Sequence, residues 1–271
     1  MDISALLSLI ESALQRLFPA KDSLWESARY SLFSGGKRLR PLLTLATVVD
    51  LEHDVNTALQ PACVLELIHT YSLIHDDLPC MDNDDVRRSK PTLHKIYTEG
   101  HAVLTGDFLL THAFELLATS PNLSSEQKLD LITTLSSRAG AFGMIGGQVE
   151  DIRAKGAKLE SESLRFIHFG KTAALMIASL EFAAILCKLT KKERTLLIEA
   201  GEHLGLAFQI KDDLLDSNVK EEPSAVALYG MLGAKRLAEE HFEKAQDAFN
   251  ALAHPLPLLR KLSSALIEIP T

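Results

Sequence analysis

Cysteine is scarce in this chain. Cys63, Cys80 and Cys187 are the three among 271 residues, too few and too scattered for a disulfide framework or a cysteine-rich zinc site, and they read as reduced thiols of a cytoplasmic protein. Basic charge is not in excess either. Lys and Arg total 28 against 36 Asp and Glu, a formal charge of −8, which argues against a nucleic-acid or anionic-membrane binder. No uninterrupted apolar run approaches the roughly 18 residues of a membrane span, so no stable membrane insertion is expected. The N-terminal MDISALLSLIESALQRLF lacks a basic n-region and reads as an amphipathic helix, not a signal peptide. No Pro/Gly/Ser-rich linker, internal repeat or low-complexity tract divides the chain, so residues 1–271 are expected to form a single domain. Alternating strand patterns and Asn-Gly hairpins are missing as well.

What remains is helix. With 46% hydrophobic and 24% charged residues the composition is that of an ordinary globular protein, and apolar residues recur at helical spacing almost throughout. The fold class is all-α. The periodicity predicts helices over 2–18, 22–34, 41–50, 57–78, 93–119, 125–150, 161–187, 192–217, 224–250 and 256–267. Pro19 and Pro61 fall near helix starts, Pro41 in a first turn, and Pro121-Asn122 in a turn before a capped helix.

Two acidic constellations stand out. LIHDDLPCMDNDDVRR (73–88) places Asp76, Asp77, Asp82, Asp84 and Asp85 directly after a strongly apolar helix, followed by Arg87 and Arg88. A proline inside this run, Pro79, cannot continue the hydrogen-bond ladder; it bends the helix and brings Asp82 back toward Asp76. FQIKDDLLD (208–216) places Gln209, Asp212, Asp213 and Asp216 on one helix face, where the carboxylates repel one another unless something cationic lies over them. All-oxygen clusters without Cys or His at ligand spacing suit Mg²⁺ before Zn²⁺, and the EF-hand pattern is absent.

Basic residues complete the picture. SGGKRLRP (34–41) combines glycines, Lys37, Arg38 and Arg40, and a following helix start, a combination suited to phosphate although it is not a Walker A loop. His69 lies seven residues before Asp76, about two helical turns away on nearly the same face. Lys171 and Thr172 sit inside the apolar FIHFGKTAALMIASL, where a cation needs an anion or a path to solvent.

GGKRLRP (35–41), ELIHTYSLIHDDLPCMDNDDVRRSKPTLHK (66–95), GGQVED (146–151), GKT (170–172) and FQIKDDLLD (208–216) together make the chain resemble, over nearly its full length, the short-chain trans-polyprenyl diphosphate synthases, nearest to the bacterial farnesyl type. The resemblance implies an isoprenoid-synthase helical bundle whose two aspartate motifs face a central cavity. It also implies about three Mg²⁺ ions, replaceable by Mn²⁺, held mainly by Asp76, Asp82 and Asp212. These would grip an allylic diphosphate, helped by Arg87, Lys171, Thr172 and Gln209. Isopentenyl diphosphate would rest on Lys37, Arg40, His69 and Arg88. Asp77, Asp213 and Asp216 would act through the residues around them or through water. A homodimer, and partners limited to small isoprenoid diphosphates, are expected on the same ground.

The chemistry agrees with that assignment. Loss of diphosphate from an allylic carbon creates an anion that cations neutralise without proton transfer, and a carbocation that a dry apolar cavity protects from water. Within such a site Tyr71, five residues before Asp76 and about 7.5 Å farther along the helix, stands where a growing prenyl tail would end, so C15 is the expected product. Geranylgeranyl or geranyl diphosphate synthases share the pattern. A terpene cyclase would not need GGKRLR, His69 and the arginine pair, and a regulatory subunit of a prenyl synthase heteromer typically loses an aspartate motif that this chain keeps. Three departures accompany the resemblance. Ser89 replaces a usual glycine; the SNVKEEP segment after Asp216 is short, with Glu222 near a usual lysine and Lys220 close by; and the terminal ALIEIPT lacks a basic tail. These departures bear on lid closure and substrate affinity.

Overall fold

The computed structural model describes residues 1–155, 160–215 and 223–267, and divides into two compact units. The first comprises Met1–Leu45 and Val55–Ile132, the second Ala46–Asp54 and Thr133–Thr271. Two of their boundaries fall inside the helices α3 (Leu39–Asp50) and α7 (Ser125–Ala139), and the third falls between Asp54 and Val55.

In the first unit α4 (Val55–Asp76) is buried on nearly every side, as a helix apolar all round must be. It packs against α1 (Ile3–Leu17), α2 (Ser23–Leu32) and α6 (Glu99–Ala118). Side-chain caps fix where these helices begin: Asp2 accepts from the Ala5 N–H at 2.8 Å and Asp22 from the Leu24 and Trp25 N–H groups. Pro61 lies inside α4, not at its start. Thr98 divides the helix expected over 93–119. Its hydroxyl caps α6 by accepting from the His101 N–H, leaving the single turn α5 (Leu93–Ile96) before it. Between α4 and α5 the chain forms a two-residue antiparallel ladder, β1 (Val86–Arg87) with β2 (Lys90–Pro91), too short for any alternating pattern to announce. The fold remains all-α in class.

The second unit is built on α10 (Ala174–Leu186), every residue of which is buried. It packs against α11 (Lys191–Leu215), which in turn packs along α12 (Ala225–Asn250). Reciprocal hydrogen bonds between Ser124 and Gln127 start α7 as a capping box. The helix expected over 125–150 breaks at Gly140–Gly143, giving α8 (Met144–Ala154). The run expected over 161–187 is α9 (Ser161–His168) continued into α10 through a π-helical turn, Phe169–Ala173. This composite stretch, Ser161–Leu186, is long and apolar enough to cross a membrane, yet 89% of its most apolar window is buried, as in a core helix. α12 is interrupted at Gly230, which has φ +70°. The last described helix, α13 (Pro257–Ile267), is capped from a distance by Asp50, which accepts from the Leu258 and Leu259 N–H groups.

The connection between β1 and β2 consists of Arg88 and Ser89, both left-handed at φ +52° and +60°. That region costs an L-residue about 1–2 kcal/mol and glycine nothing. Ser89→Gly is therefore expected to stabilise the hairpin carrying Arg87 and Arg88 by about 0.5–1 kcal/mol after the entropy glycine adds to the unfolded chain. The check is a higher urea midpoint at an unchanged slope.

Candidate functional site

The first aspartate motif begins where α4 ends. Pro79 does not bend the helix, as its position in the sequence suggested; it terminates it. The chain then folds back so that the Asp82 N–H donates to the Asp76 carbonyl at 2.9 Å, while the Met81 and Asn83 N–H groups both donate to the Leu78 carbonyl. This turn places the backbones of Asp76 and Asp82 together, which their six-residue separation on a helix would not. Asp77 points elsewhere. It is buried at 4% exposure and accepts from Arg87 Nε at 2.6 Å, with Asp84 taking Arg87 Nη2 at 3.2 Å. Burial raises the Asp77 carboxyl, and the Arg87 guanidinium works against that rise.

A basic cluster lies in the same unit. Arg40, His69 and Arg88 feel one another's charge: burial and then the neighbouring Arg40 and Arg88 hold the His69 imidazole well below its ordinary value, so it is neutral near pH 7. Burial lowers the Arg40 guanidinium to about 10, at which it stays charged, and its Nε is buried with no hydrogen-bond partner. Arg88 donates to the Gly35 carbonyl. Gly36, at φ +125°, leaves room for it, since a Cβ there would stand 2.8 Å from Arg88 Nη1. Lys37 is exposed. Arg38, the third cation of this run, is turned inward, 3% exposed, and paired with Glu11 at 2.7 Å and Glu66 at 2.9 Å. It is a buried tie between α1, the loop and α4, a role its sequence neighbours concealed.

Tyr71 is buried in α4 with its hydroxyl unpartnered; burial, then the charge of Asp76, pushes the phenol up to about 12. Its ring meets His75 edge-on at 5.8 Å. The His75 Nε2 lies 3.0 Å from the Val103 carbonyl, and α6 admits the imidazole at Gly106.

In the second unit the anion that Lys171 needs is supplied internally. Lys171 Nζ lies 2.5 Å from Asp151 Oδ2 on α8; Asp151, the last residue of GGQVED, was not singled out from the sequence. Nothing in its charged neighbourhood of Glu150, Arg153 and Lys155 sets it apart in the sequence; only its burial and its contact with Lys171 do. Thr172 donates to Gln209 Oε1 at 2.5 Å and Gln209 Nε2 to Asp213 Oδ1 at 3.2 Å. The other Asp213 oxygen accepts the Ala225 N–H at 2.7 Å and lies 3.1 Å from His168 Nε2. Asp213 thus secures the first residue of α12, and Asp212 is the remaining described carboxylate of the motif, on the last turn of α11. Asp216, Lys220, Glu222 and the residues after Ile267 lie outside the described residues, so the expectations placed on them stand untouched. The π-helical turn can carry Lys171 and Thr172 this close to α8 because two glycines meet there: a Cβ on Gly147 would fall 2.6 Å from Gly170 Cα.

The pattern of motifs matches the polyprenyl synthetase family model over residues 21–224. The chain belongs to that family. It is 40% identical over 257 residues to the farnesyl diphosphate synthase of Bacillus subtilis, covering 89% of this chain and 87% of that protein. It is 42% identical over 258 residues to that of Geobacillus stearothermophilus, covering 88% and 86%. The fold matches that of an FPP/GFPP synthase from Zymomonas mobilis with a TM-score of 0.91 at 34% identity, over 98% of this chain and 97% of the other. As a polyprenyl synthetase the protein is a prenyltransferase, and its helical architecture is the isoprenoid-synthase fold.

Among the described residues no three His, Cys, Asp or Glu side chains converge as a metal cage. Mg²⁺ keeps waters and takes one or two carboxylates together with phosphate oxygens, not an all-protein shell. Asp76, Asp82 and Asp212 offer hard oxygen donors of the right kind, and the buried, unpartnered Arg40 Nε and Gln148 Nε2 are donors left for an anion. The close packing at Gly147 gives a direct test. Gly147→Ala drives α8 from the π-helical turn, with an expected loss of about 1–3 kcal/mol, the usual cost of overpacking, visible as a lower denaturation midpoint. Prenyl transfer should fall with it, because Asp151 can no longer hold Lys171.

Proposed function

We propose that this prenyltransferase condenses isopentenyl diphosphate with dimethylallyl and then geranyl diphosphate, releasing diphosphate and making farnesyl diphosphate. The observation that carries the reading is the cluster of Arg40, His69 and Arg88, with Lys37 beside it, in the same unit as the Asp76–Asp82 turn. A cyclase acting on one diphosphate has no use for a second cationic site; a condensing enzyme requires one. The relatives named farnesyl diphosphate synthase support the same product.

In this reading Asp76, Asp82 and Asp212 would hold Mg²⁺, which supplies positive charge to the allylic leaving group. Lys171, kept in place by Asp151, and Thr172 and Gln209, fixed by the bond between them, orient that diphosphate. Arg87 is held for the same end by Asp77 and Asp84. The allylic C–O bond breaks with its electron pair going to the leaving oxygen. The isopentenyl double bond then supplies the pair that forms the new C–C bond, and a proton is lost to restore a double bond. The neutral His69 donates or accepts a hydrogen bond without adding charge, while Arg40, Arg88 and Lys37 balance the isopentenyl diphosphate. The released diphosphate is the natural acceptor for the proton, since no side chain of the two clusters is an unencumbered base.

The reading is tested by steady-state assay of diphosphate release from geranyl plus isopentenyl diphosphate. Activity should vanish in excess EDTA and return with Mg²⁺ or Mn²⁺. Asp76→Asn and Asp212→Asn should each lower kcat by about a hundredfold or more, a loss expressed on the departing diphosphate; full activity in EDTA would sink the assignment.

Product length rests on Tyr71. Because a packed interior resists added volume, its buried ring ends the space available to a tail whose head is fixed at Asp76. Chromatography of the products should show mainly C15 from the native protein and a shift to C20 or longer from Tyr71→Ala. An unchanged distribution from an active variant would place the floor elsewhere.

A further inference from the structure

A cavity of about 270 Å³ opens in the second unit among α9, α11 and α12. It is lined by five groups able to carry positive charge, Arg165, His168, His203, His241 and Lys244, and among the described residues by no carboxylate. Its remaining walls are mostly apolar, with Leu164, Leu206, Ile210 and Leu237 prominent. Neither aspartate cluster uses this space.

The histidines show what the cavity lacks. His203 Nδ1 and His241 Nδ1 lie 3.0 Å apart, so one ring donates its proton to the other and the pair cannot both be charged. The acceptor ring then carries its own proton on Nε2, leaving that N–H as a donor. Burial, followed by the positive charge of His203, Lys244, Arg165 and His168, lowers His241 to about 4, and burial lowers His203 too. Glu202 and Glu199 partly oppose this at His203, and Glu202 Oε1 lies 3.4 Å from Arg165 Nη2. Asp213 meets His168 at 3.1 Å, its carboxylate shared with Ala225 and Gln209. His203 and His241 thus face an apolar space as N–H donors, and the charge in its lining is that of Arg165 and Lys244, which an anion would balance.

We infer that this cavity is a second ligand site, taking a small phosphate-type anion that carries a short apolar stem. The volume accommodates such a molecule, since a cavity of about 150 Å³ already holds a benzene ring. The histidine pair, Arg165 and Lys244 would meet the anion, and the leucines would cover the stem. His168 connects the cavity through Asp213 to Gln209, so the ligand would sit two contacts from the second aspartate motif.

n-Pentyl phosphate, which cannot undergo prenyl transfer, serves as the probe, added to the full chain labelled with ¹⁵N-histidine. The ring signals of His203 and His241 should move and saturate. Arg165→Ala combined with Lys244→Ala should weaken that binding about tenfold or more, one lost charge-assisted contact being worth that much, with the rate of prenyl transfer in the absence of probe unchanged. Inorganic phosphate should bind at least about tenfold more weakly, because the stem is missing. Binding of phosphate as tight as that of the probe would overturn the amphiphilic ligand. Ring signals that do not move up to about 10 mM probe, weaker than any specific site of this kind, would overturn the site, as would movement undiminished by the double substitution.

Discussion

Lys171 and Arg87, the two cations proposed to meet the allylic diphosphate, are each held by a carboxylate of the chain itself: Asp151 at 2.5 Å and Asp77 at 2.6 Å. The constraint behind this is electrostatic. A site that must neutralise a diphosphate gathers many charges, and before substrate arrives those charges desolvate and repel one another. Pairing Lys171 with Asp151, and Arg87 with Asp77 and Asp84, keeps each cation ionised and limits its rotamers. The positions of α8 and of the hairpin β1–β2 follow from the need to deliver these two partners, and the glycine contact between Gly147 and Gly170 is the steric condition for the first of them.

The same logic separates the neighbouring aspartates of each motif. Asp76 and Asp82 are joined through the backbone, but Asp77 is turned to Arg87; in the second motif Asp213 is committed to Ala225 and Gln209 while Asp212 stays on the helix end. In each doubled aspartate the second carboxylate thus builds frame: Asp77 holds Arg87, and Asp213 holds Gln209 and the first residue of α12. Substituting the second of either pair is then a positional injury, expressed through Arg87 or through the start of α12.

Much of this was legible in the sequence because motif spacing and helical periodicity are local properties. The ten predicted segments all contain helix among their described residues, and Lys171 and Gln209 lie in helical segments as the periodicity placed them. What escaped was non-local. The inward turn of Arg38 depends on Glu66, 28 residues away, and on Glu11 from α1; nothing beside Arg38 distinguishes it from Arg40. Asp151 and Lys171 meet across α8 and a π-helical turn, a geometry that a 3.6-residue period does not contain. The breaks at Thr98 and Gly140–Gly143 interrupt stretches whose apolar pattern continues through them, so only the cap and the tight backbone turn decide the boundary. Ser89 shows the reverse: the sequence marks it as standing where glycine is usual, and its φ of +60° makes it a residue held against its own preference.

If Tyr71 is the floor proposed above, chain length is set without a dedicated wall. The ring is fixed on one side by α4 packing and on the other by His75, and His75 in turn holds its place because α6 presents Gly106 beside it and the Val103 carbonyl to its Nε2. Three residues on two helices thus determine one depth. Their polar atoms also bear on that depth: the Tyr71 hydroxyl is buried without a partner, so its cost is already borne in the absence of substrate, and an apolar tail arriving against the ring displaces no hydrogen bond. A floor at this ring would therefore stop a tail by volume alone. On that proposal Gly106, which leaves room for the His75 imidazole that meets the ring, would bear on product selection together with Tyr71.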